Sequence, residues 1–210
     1  MTLPEKIRRF TPVEYYRLER EAEYKSNYYD GEIFAIAGGT ARHSLICSNI
    51  GRETGNRLKK TPCAVYESNL RLKIAATGLR TYPDISVYCE PLSHDEEDPA
   101  GETYTNPSVI FEVLSPSTEA YDRGFKAENY RRVQSLRAYI LIAQDAPHAE
   151  VFERQPEGTW LLREATGTGA SVRIPGLDID LPLAEVYARV DFSEPQLAAE
   201  KPSARGVTPQ

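Results

Sequence analysis

The chain has 210 residues, of which 40% are hydrophobic and 27% are charged. This length fits one domain with a substantial core and is short for two. No apolar run approaches the roughly 20 residues of a membrane-spanning helix, and MTLPEKIRRF at the start lacks the apolar stretch of a secretory signal. We therefore expect a cytoplasmic protein with no membrane partner. The net charge of −6 argues against a generally basic surface, although it leaves room for a local basic groove.

The first elements form an amino-terminal unit over residues 11–37. The segment from Pro12 to Glu23 has apolar residues at near-helical spacing after a Thr-Pro start, which predicts a short amphipathic helix. Asp30 and Gly31 then stand between two β-prone runs, a pattern typical of a hairpin turn.

The central part, residues 40–143, alternates helix and strand patterns. A helix should run towards Lys60, and a second helix should extend from Glu119 to Ser135. The acidic stretch that reaches Asn106 is a loop by composition. Strands are expected at 63–66, 70–74, 84–89, 108–114 and 139–142. The run SVIFEVL at 108–114 is so apolar that it should lie in the middle of the sheet.

The last part should be an antiparallel extension over residues 148–190. Strand patterns occur at 148–153, 159–162 and 170–174, and a terminal helix is expected at 183–190. The composition of residues 193–210 predicts a disordered tail. Together these elements predict an α/β (α+β) fold in which helices flank a mixed central sheet, within a single domain over residues 1–192.

The cysteines Cys47, Cys63 and Cys89 are widely spaced and form no CxxC pair, and the three histidines are scattered. We therefore expect reduced, buried thiols and no zinc site. Any bound metal should have oxygen ligands.

Two carboxylates interrupt strands that should be buried. Asp84 follows Pro83 at the start of one strand, and Glu112 lies inside SVIFEVL. A buried charge is costly unless it is paired or binds a metal. On adjacent strands the two groups could hold Mg²⁺, or Mn²⁺, with the main-chain carbonyl of Val113 as a further ligand. The alternatives are that Asp84 caps a turn and that Glu112 pairs with a buried arginine.

Lys126 lies in the helix after the Glu112 strand, so its side chain could reach back over the strand end. Asp122 and Tyr130 lie on the same helix face at four-residue spacing. A lysine beside a metal would stabilise charge in a phosphoryl transition state. The alternative is an ordinary surface pair between Asp122 and Lys126.

In combination these segments resemble a known family. YPDISVYCEP, NPSVIFEVLSPSTEAYDRGFKAENYR and SLRAYILI closely resemble the Uma family of bacterial restriction endonucleases, in the PD-(D/E)XK superfamily, and EAEYKSNYYDGEIFAIAGGTARH is similar to its amino-terminal segment. The resemblance implies a restriction endonuclease-like core of helix, three strands, helix and strand. It also implies metal-dependent cleavage of DNA, with Asp84 and Glu112 as the motif carboxylates.

The chain departs from the superfamily motif at Leu114, where a lysine is usual, and the resemblance assigns that role to Lys126. Asn69 replaces an aspartate that is frequent in relatives. The resemblance makes Glu23 an accessory acidic group. It also suggests His43 as a general base, against the alternative of a local hydrogen bond at a helix start.

The leading hypothesis is a Mg²⁺-dependent endonuclease that acts on DNA, with Asp84, Glu112 and Lys126 as the catalytic set. The second is a catalytically weak or inactive nucleic-acid-binding module with the same fold, which Leu114 and the acidic net charge favour. A purely structural interaction protein is disfavoured by charges inside core strands. A homodimer is the default assembly, since cutting two strands needs two sites.

Overall fold

The computed structural model describes residues 8–36 and 38–193. Helix α1 (Pro12–Glu21) begins with a capping box, in which Thr11 Oγ1 accepts from the amide of Glu14 and the Glu14 carboxylate accepts from the amide of Thr11. Strands β1 (Ser26–Tyr29) and β2 (Glu32–Ala35) follow as a hairpin. Asp30 and Gly31 turn the hairpin with φ angles of 47° and 81°, as a type I′ turn requires.

Helix α2 (Ala41–Leu58) begins at Thr40, whose hydroxyl accepts from the amide of His43 at 3.1 Å. Its buried residues include Ile46 and Ile50, which face the main sheet. This face fixes the orientation of the helix, so its first turns lie beside the strand that carries Asp84.

The main sheet has six strands in the order β11-β10-β9-β8-β6-β3. Only β8 and β9 pair in parallel among these neighbours, so the sheet is mixed. The strands are β3 (Ala64–Glu67), β6 (Ile85–Tyr88), β8 (Val109–Val113), β9 (Ala138–Ile142), β10 (His148–Arg154) and β11 (Trp160–Thr166). The first two strands of the expected antiparallel extension, β10 and β11, therefore continue the main sheet, and β8 is buried along its whole length.

The register of β6 and β8 brings the two motif carboxylates together. Ile85 pairs with Phe111, so continuing the ladder by one residue places Asp84 across from Glu112. Directly opposite residues share a face of the sheet. That face also carries Ile110 and Leu114 and is covered by the residues around Tyr130.

A second sheet of five strands has the order β2-β1-β5-β4-β7. It adds β4 (Arg71–Lys73), β5 (Arg80–Thr81) and β7 (Thr103–Tyr104) to the hairpin. The acidic stretch before Asn106 was expected to be a loop, but it contributes β7. The reason is charge pairing, since Asp95 and Asp98 are buried and form ion pairs with Lys73 and Arg71.

The helix expected from Glu119 to Ser135 is shorter and irregular. It consists of α3 (Glu119–Tyr121), a π-helical segment π1 (Asp122–Lys126) and α4 (Ala127–Tyr130). Gly124 lies inside π1, where it weakens regular α-helix. Turns follow Tyr130 and bury Val133 and Leu136, so the chain packs into the core instead of continuing the helix.

The carboxy-terminal elements form a small separate hairpin and a short helix. Strands β12 (Ser171–Ile174) and β13 (Ile179–Pro182) pair with each other, and α5 (Leu183–Val186) ends four residues before the expected position. The tail predicted to be disordered lies outside the described residues from position 194 onwards. Among the described residues, no helix is long and apolar enough to cross a bilayer.

The expectation of three reduced thiols is wrong for two of them. Cys63 and Cys89 form a disulfide, with their Cα atoms 3.8 Å apart. Ala64 pairs with Tyr88 in the β3–β6 ladder, so the next residues outward, the two cysteines, face each other. Cys47 is free and half-buried.

Candidate active site

An open cleft lies between α2, the amino-terminal hairpin and the edge of the main sheet where β6 begins and β8 ends. Its lining includes most of the residues singled out from the sequence. They are His43, Asp84, Glu112, Asp122 and Lys126. The cleft therefore collects both motif carboxylates and the candidate lysine at one end of the central strands.

Glu112 is buried at the centre of this group. Its Oε1 accepts hydrogen bonds from Lys126 Nζ at 2.9 Å and from the Tyr130 hydroxyl at 2.7 Å. Its Oε2 accepts a longer bond, 3.3 Å, from the amide of Asp84. The alternative that Glu112 pairs with a buried arginine is not met among the described residues, because Lys126 and Tyr130 bind the carboxylate.

Asp84 opens on the cleft with its side chain 20% exposed. Its Oδ2 accepts from the amide of Val113 at 2.8 Å and lies 3.2 Å from His43 Nε2. The Val113 amide thus ties the end of β8 to the start of β6. The Val113 carbonyl, which the sequence suggests as a metal ligand, belongs to the following peptide group.

Asp122 and Lys126 are not a surface pair, because their side chains are only 3% and 11% exposed. Asp122 Oδ1 lies 2.9 Å from Lys126 Nζ as an ion pair, but without hydrogen-bond geometry, and this buried oxygen has no hydrogen-bond partner among the described residues. Lys126 is therefore held between two buried carboxylates. Residues four positions apart lie on the same face of a regular α-helix. In the wider turn of π1, Asp122 and Lys126 still lie on the same buried face.

The departure from the superfamily motif at Leu114 has a packing explanation. Leu114 is buried with Ala127 and Tyr130, on the same face of β8 as Glu112. A lysine there would need a charged partner in an apolar cluster. Lys126 reaches Glu112 from the neighbouring helix instead, at 2.9 Å.

The surroundings shift the pKa values of the two motif carboxylates in opposite directions. Burial raises the pKa of Asp84, but the hydrogen bond and charge of His43, the charge of Lys126 and the Val113 amide outweigh burial and hold the pKa below its ordinary value. Burial lowers the pKa of His43, but Asp84 outweighs it and raises that pKa. His43 and Asp84 thus stabilise each other's charged forms.

Burial raises the pKa of Glu112 to about 8, and the charges of Asp84 and Asp122 act in the same direction against the ammonium of Lys126. Burial lowers the pKa of Lys126, but the three carboxylates raise it well above its ordinary value. Three carboxylates around one ammonium leave excess negative charge, which favours the protonated form of Glu112.

These residues suit a divalent cation with oxygen ligands. Asp84 and Glu112 supply carboxylates from adjacent strands at the rim of the cleft, where water and phosphate could complete the shell. The buried Oδ1 of Asp122 has the ion pair with Lys126 but no hydrogen bond, so the described contacts leave part of its bonding capacity unused. A cation would offset the excess negative charge of the three carboxylates.

The structure does not bring Glu23 to the cleft, since this residue is exposed after α1 and is not among the lining residues. Glu19, one helical turn earlier, lines the cleft instead and accepts from the Tyr82 hydroxyl at 2.8 Å. Sequence reasoning missed Glu19 because α1 carries several glutamates and only packing against Tyr82 selects one.

His43 makes the hydrogen bond that neither sequence interpretation specified. It contacts Asp84, a residue 41 positions away, and Cys47 Sγ lies 3.6 Å from its Nδ1. The sequence signal for the contact between His43 and Cys47 is their four-residue spacing on one helix, which places both side chains on one face.

Comparisons with known proteins find a solved structure of similar fold and relatives of similar sequence. A crystal structure described as a putative nuclease belonging to DUF820, from Anabaena variabilis ATCC 29413, superposes with a TM-score of 0.68 at 21% identity, covering 85% of this chain and 97% of that one. Two uncharacterized proteins of Synechocystis sp. PCC 6803 are related in sequence. Protein slr1290 is 35% identical over 154 residues, which is 73% of this chain and 79% of the relative. Protein sll1609 is 34% identical over 170 residues, which is 80% of this chain and 94% of the relative.

The fold is therefore a mixed α+β architecture with helices flanking the sheets, and it is shared with the Anabaena variabilis structure. Residues 12–184 match the Uma2 family, described as "Putative restriction endonuclease". The chain belongs to the Uma2 family, as the resemblance of its motifs suggested.

Proposed function

We propose that this protein is a metal-dependent endonuclease that hydrolyses phosphodiester bonds of DNA in the cleft, with Asp84, Glu112 and Lys126 as its catalytic set. The observation that carries the proposal is the meeting of two strand-borne carboxylates and a buried ammonium at one end of the central sheet of a nuclease fold. Mg²⁺, or Mn²⁺, is the proposed cofactor, because the carboxylate pair offers hard oxygen ligands.

Asp84 and Glu112 would hold the cation, with the Val113 carbonyl as a third ligand. A divalent cation bound there supplies a Lewis acid for the phosphate and lowers the pKa of water. Asp84 is ready to bind because its pKa is held low, whereas Glu112 must release its proton first. Binding should therefore release a proton and weaken as the pH falls.

Lys126 supplies positive charge beside the reacting phosphate. Glu112 and Asp122 keep it protonated and fix its side chain, so little reorganisation is needed as negative charge develops on the phosphate. Tyr130 orients Glu112 through a 2.7 Å hydrogen bond, and His43 orients Asp84 at 3.2 Å. We assign Tyr130, His43 and Asp122 positioning roles.

A nucleic-acid-binding module without catalysis is the second candidate. Lys126 is almost fully buried and already engaged with two carboxylates, which limits its access to a phosphate. This observation favours the inactive form unless cation binding draws Glu112 away from the lysine. Metal binding without cleavage would identify this alternative.

Two further properties are proposals of the same kind. A homodimer would place two clefts on one duplex, and light scattering of the purified chain would measure the assembly. A cytoplasmic location is the second of these proposals, and the Cys63–Cys89 disulfide is unusual in such a reducing compartment. Thiol counting on protein isolated under acid quench would show whether the bond exists in the cell.

The test of the proposed function uses supercoiled, linear and branched DNA with Mg²⁺, Mn²⁺ or EDTA. If the protein is an endonuclease, we expect nicked or linear products with either cation and none with EDTA. Intact DNA under all conditions, together with metal binding to the wild type that Asp84→Asn abolishes, would support the inactive module instead.

A further inference from the structure

A second group of potential metal ligands lies beside the proposed catalytic carboxylates. His43 and Cys47, one turn apart on α2, face Asp84 at the start of β6. One ligand atom from each of the three residues can be chosen so that all three lie within 4.8 Å of one another. The two α2 residues add a nitrogen and a sulfur to a site that the sequence assigned to oxygen ligands alone.

The spacing of these atoms is that of ligands around one ion. Tetrahedral zinc sites have metal–nitrogen and metal–sulfur bonds of about 2.0 and 2.3 Å, which puts the nitrogen and the sulfur about 3.5 Å apart. The observed distance from His43 Nδ1 to Cys47 Sγ is 3.6 Å. The pair is therefore spaced for coordination before any side chain moves.

The second ring nitrogen of His43 also has a suitable partner. Coordination through Nδ1 would leave the Nε2–H group to donate to Asp84 Oδ2, which lies 3.2 Å away. A carboxylate behind the imidazole is the usual support of a histidine ligand. In that arrangement Asp84 supports the imidazole from the far edge of the ring, and water would complete the ligand set of the ion.

A second cluster of potential metal ligands among the described residues is less available for a cation. His148, Glu150 and Glu164 also approach one another, but the Glu150 carboxylate accepts two hydrogen bonds of 2.7 Å from Arg123. The pairing with Arg123 neutralises the charge of Glu150. The Cys47 thiol, in contrast, contacts the imidazole of His43, which is itself a potential ligand.

We propose that His43 Nδ1 and Cys47 Sγ, with Asp84 as the carboxylate behind the imidazole, bind a late first-row divalent cation of the Zn²⁺ or Co²⁺ class in preference to Mg²⁺. Imidazole and thiolate ligands suit these ions, while Mg²⁺ requires octahedral oxygen coordination. The ligand set stands on the geometry alone. That such an ion affects Mg²⁺ binding at Asp84 rests on the proposed function.

Cobalt provides the direct test, because a thiolate bound to Co²⁺ gives a charge-transfer absorption band in the near ultraviolet. The full-length chain, stripped of metal by chelation, would be titrated with CoCl₂ in the presence of excess MgCl₂. We expect the charge-transfer band to appear in the wild type, to vanish in Cys47→Ala, and to need about tenfold more Co²⁺ or higher in His43→Ala.

Two controls isolate the proposed ligands. The Cys63→Ser/Cys89→Ser variant keeps Cys47 as the single thiol and should retain the band. His94→Ala removes a histidine that bonds the Gly101 carbonyl away from the cleft, and it should bind Co²⁺ like the wild type. A wild type without the band, or a band unchanged in Cys47→Ala, would overturn the proposal.

Alkylation of the wild type gives a second measurement if Cys47→Ala does not fold. Zn²⁺ should slow the reaction of Cys47 with iodoacetamide about tenfold or more relative to Mg²⁺, as mass spectrometry of the Cys47 peptide would show. Equal rates with Zn²⁺, Mg²⁺ and EDTA would contradict the site. Neither measurement involves DNA, so a negative result leaves the proposed Mg²⁺ nuclease to its own test.

Discussion

Replacing Lys126 with methionine should destabilise the protein strongly. Lys126 Nζ lies 2.9 Å from a carboxylate oxygen of Glu112 and 2.9 Å from one of Asp122, and all three side chains are buried. Methionine keeps the apolar part of the side chain, so the change removes the charge with little cavity. Breaking a buried pair by removing one partner costs about 3–5 kcal/mol, and we expect a loss within this range for Lys126→Met.

The loss should depend on pH. Without the ammonium, Glu112 and Asp122 can avoid an unpaired buried charge only by binding protons, and protons are more available at low pH. The destabilisation should therefore be larger at pH 8 than at pH 5. Adding Glu112→Gln to Lys126→Met should recover part of the loss, because it removes one of the two orphaned carboxylates.

Urea unfolding followed by circular dichroism gives the free energies. Lys60→Met is the matched control, since Lys60 is exposed and does not line the cleft, and its effect should stay within about 0.5 kcal/mol. If Lys126→Met costs less than about 1 kcal/mol at pH 8, Lys126 is no more than the surface partner of Asp122, and the reasoning from burial is refuted.

Three further predictions concern the same structure. The raised pKa of Glu112, about 8 against 4.5 in the unfolded chain, means that the folded protein holds a proton that the unfolded chain has released. The stability of the wild type should therefore fall relative to Glu112→Gln as the pH rises between these values, and level off above them. Parallel pH profiles of the two proteins in urea unfolding would contradict the raised pKa. Tyr130→Phe should cost about 1.5–3 kcal/mol in thermal or urea unfolding, because the Glu112 carboxylate loses a 2.7 Å hydrogen bond, and an unchanged stability would show that Glu112 does not depend on it. Reduction of the Cys63–Cys89 disulfide, which links residues 26 positions apart, should lower the unfolding free energy by about 3 kcal/mol, and no change with reductant would mean that the bond does not constrain the unfolded chain.

The sequence predicted the position of both motif carboxylates for a local reason. Glu112 interrupts an otherwise apolar strand, and Asp84 begins the neighbouring strand pattern, so each pattern alone signals an unusual charge. Their meeting across the β6–β8 ladder follows from strand register, which hydrophobic alternation fixes well in a buried sheet. The order of helix, three strands, helix and strand was implied by the family resemblance, and the periodic patterns indicated a similar alternation of helices and strands.

The parts that the sequence did not predict depend on contacts between distant segments. Strand β7 is two residues long and is held by the buried ion pair of Asp98 with Arg71, whereas the composition of this segment is that of a loop. The disulfide requires the β3–β6 register, and the π-helical turn around Gly124 leaves no clear periodic signal. The burial of Lys126 follows from that turn, so helix periodicity alone could not separate it from a surface residue.

Cleavage of supercoiled plasmid by a matched pair of aspartate variants tests the central claim most directly. Asp84→Asn removes a proposed ligand in the cleft, while Asp178→Asn makes the same change in an exposed turn with φ of 56°, a conformation that asparagine tolerates. The account predicts Mg²⁺-dependent nicking by the wild type and by Asp178→Asn, and none by a folded Asp84→Asn or in EDTA. Equal cleavage by Asp84→Asn and the wild type would contradict the assignment of the active site to this cleft.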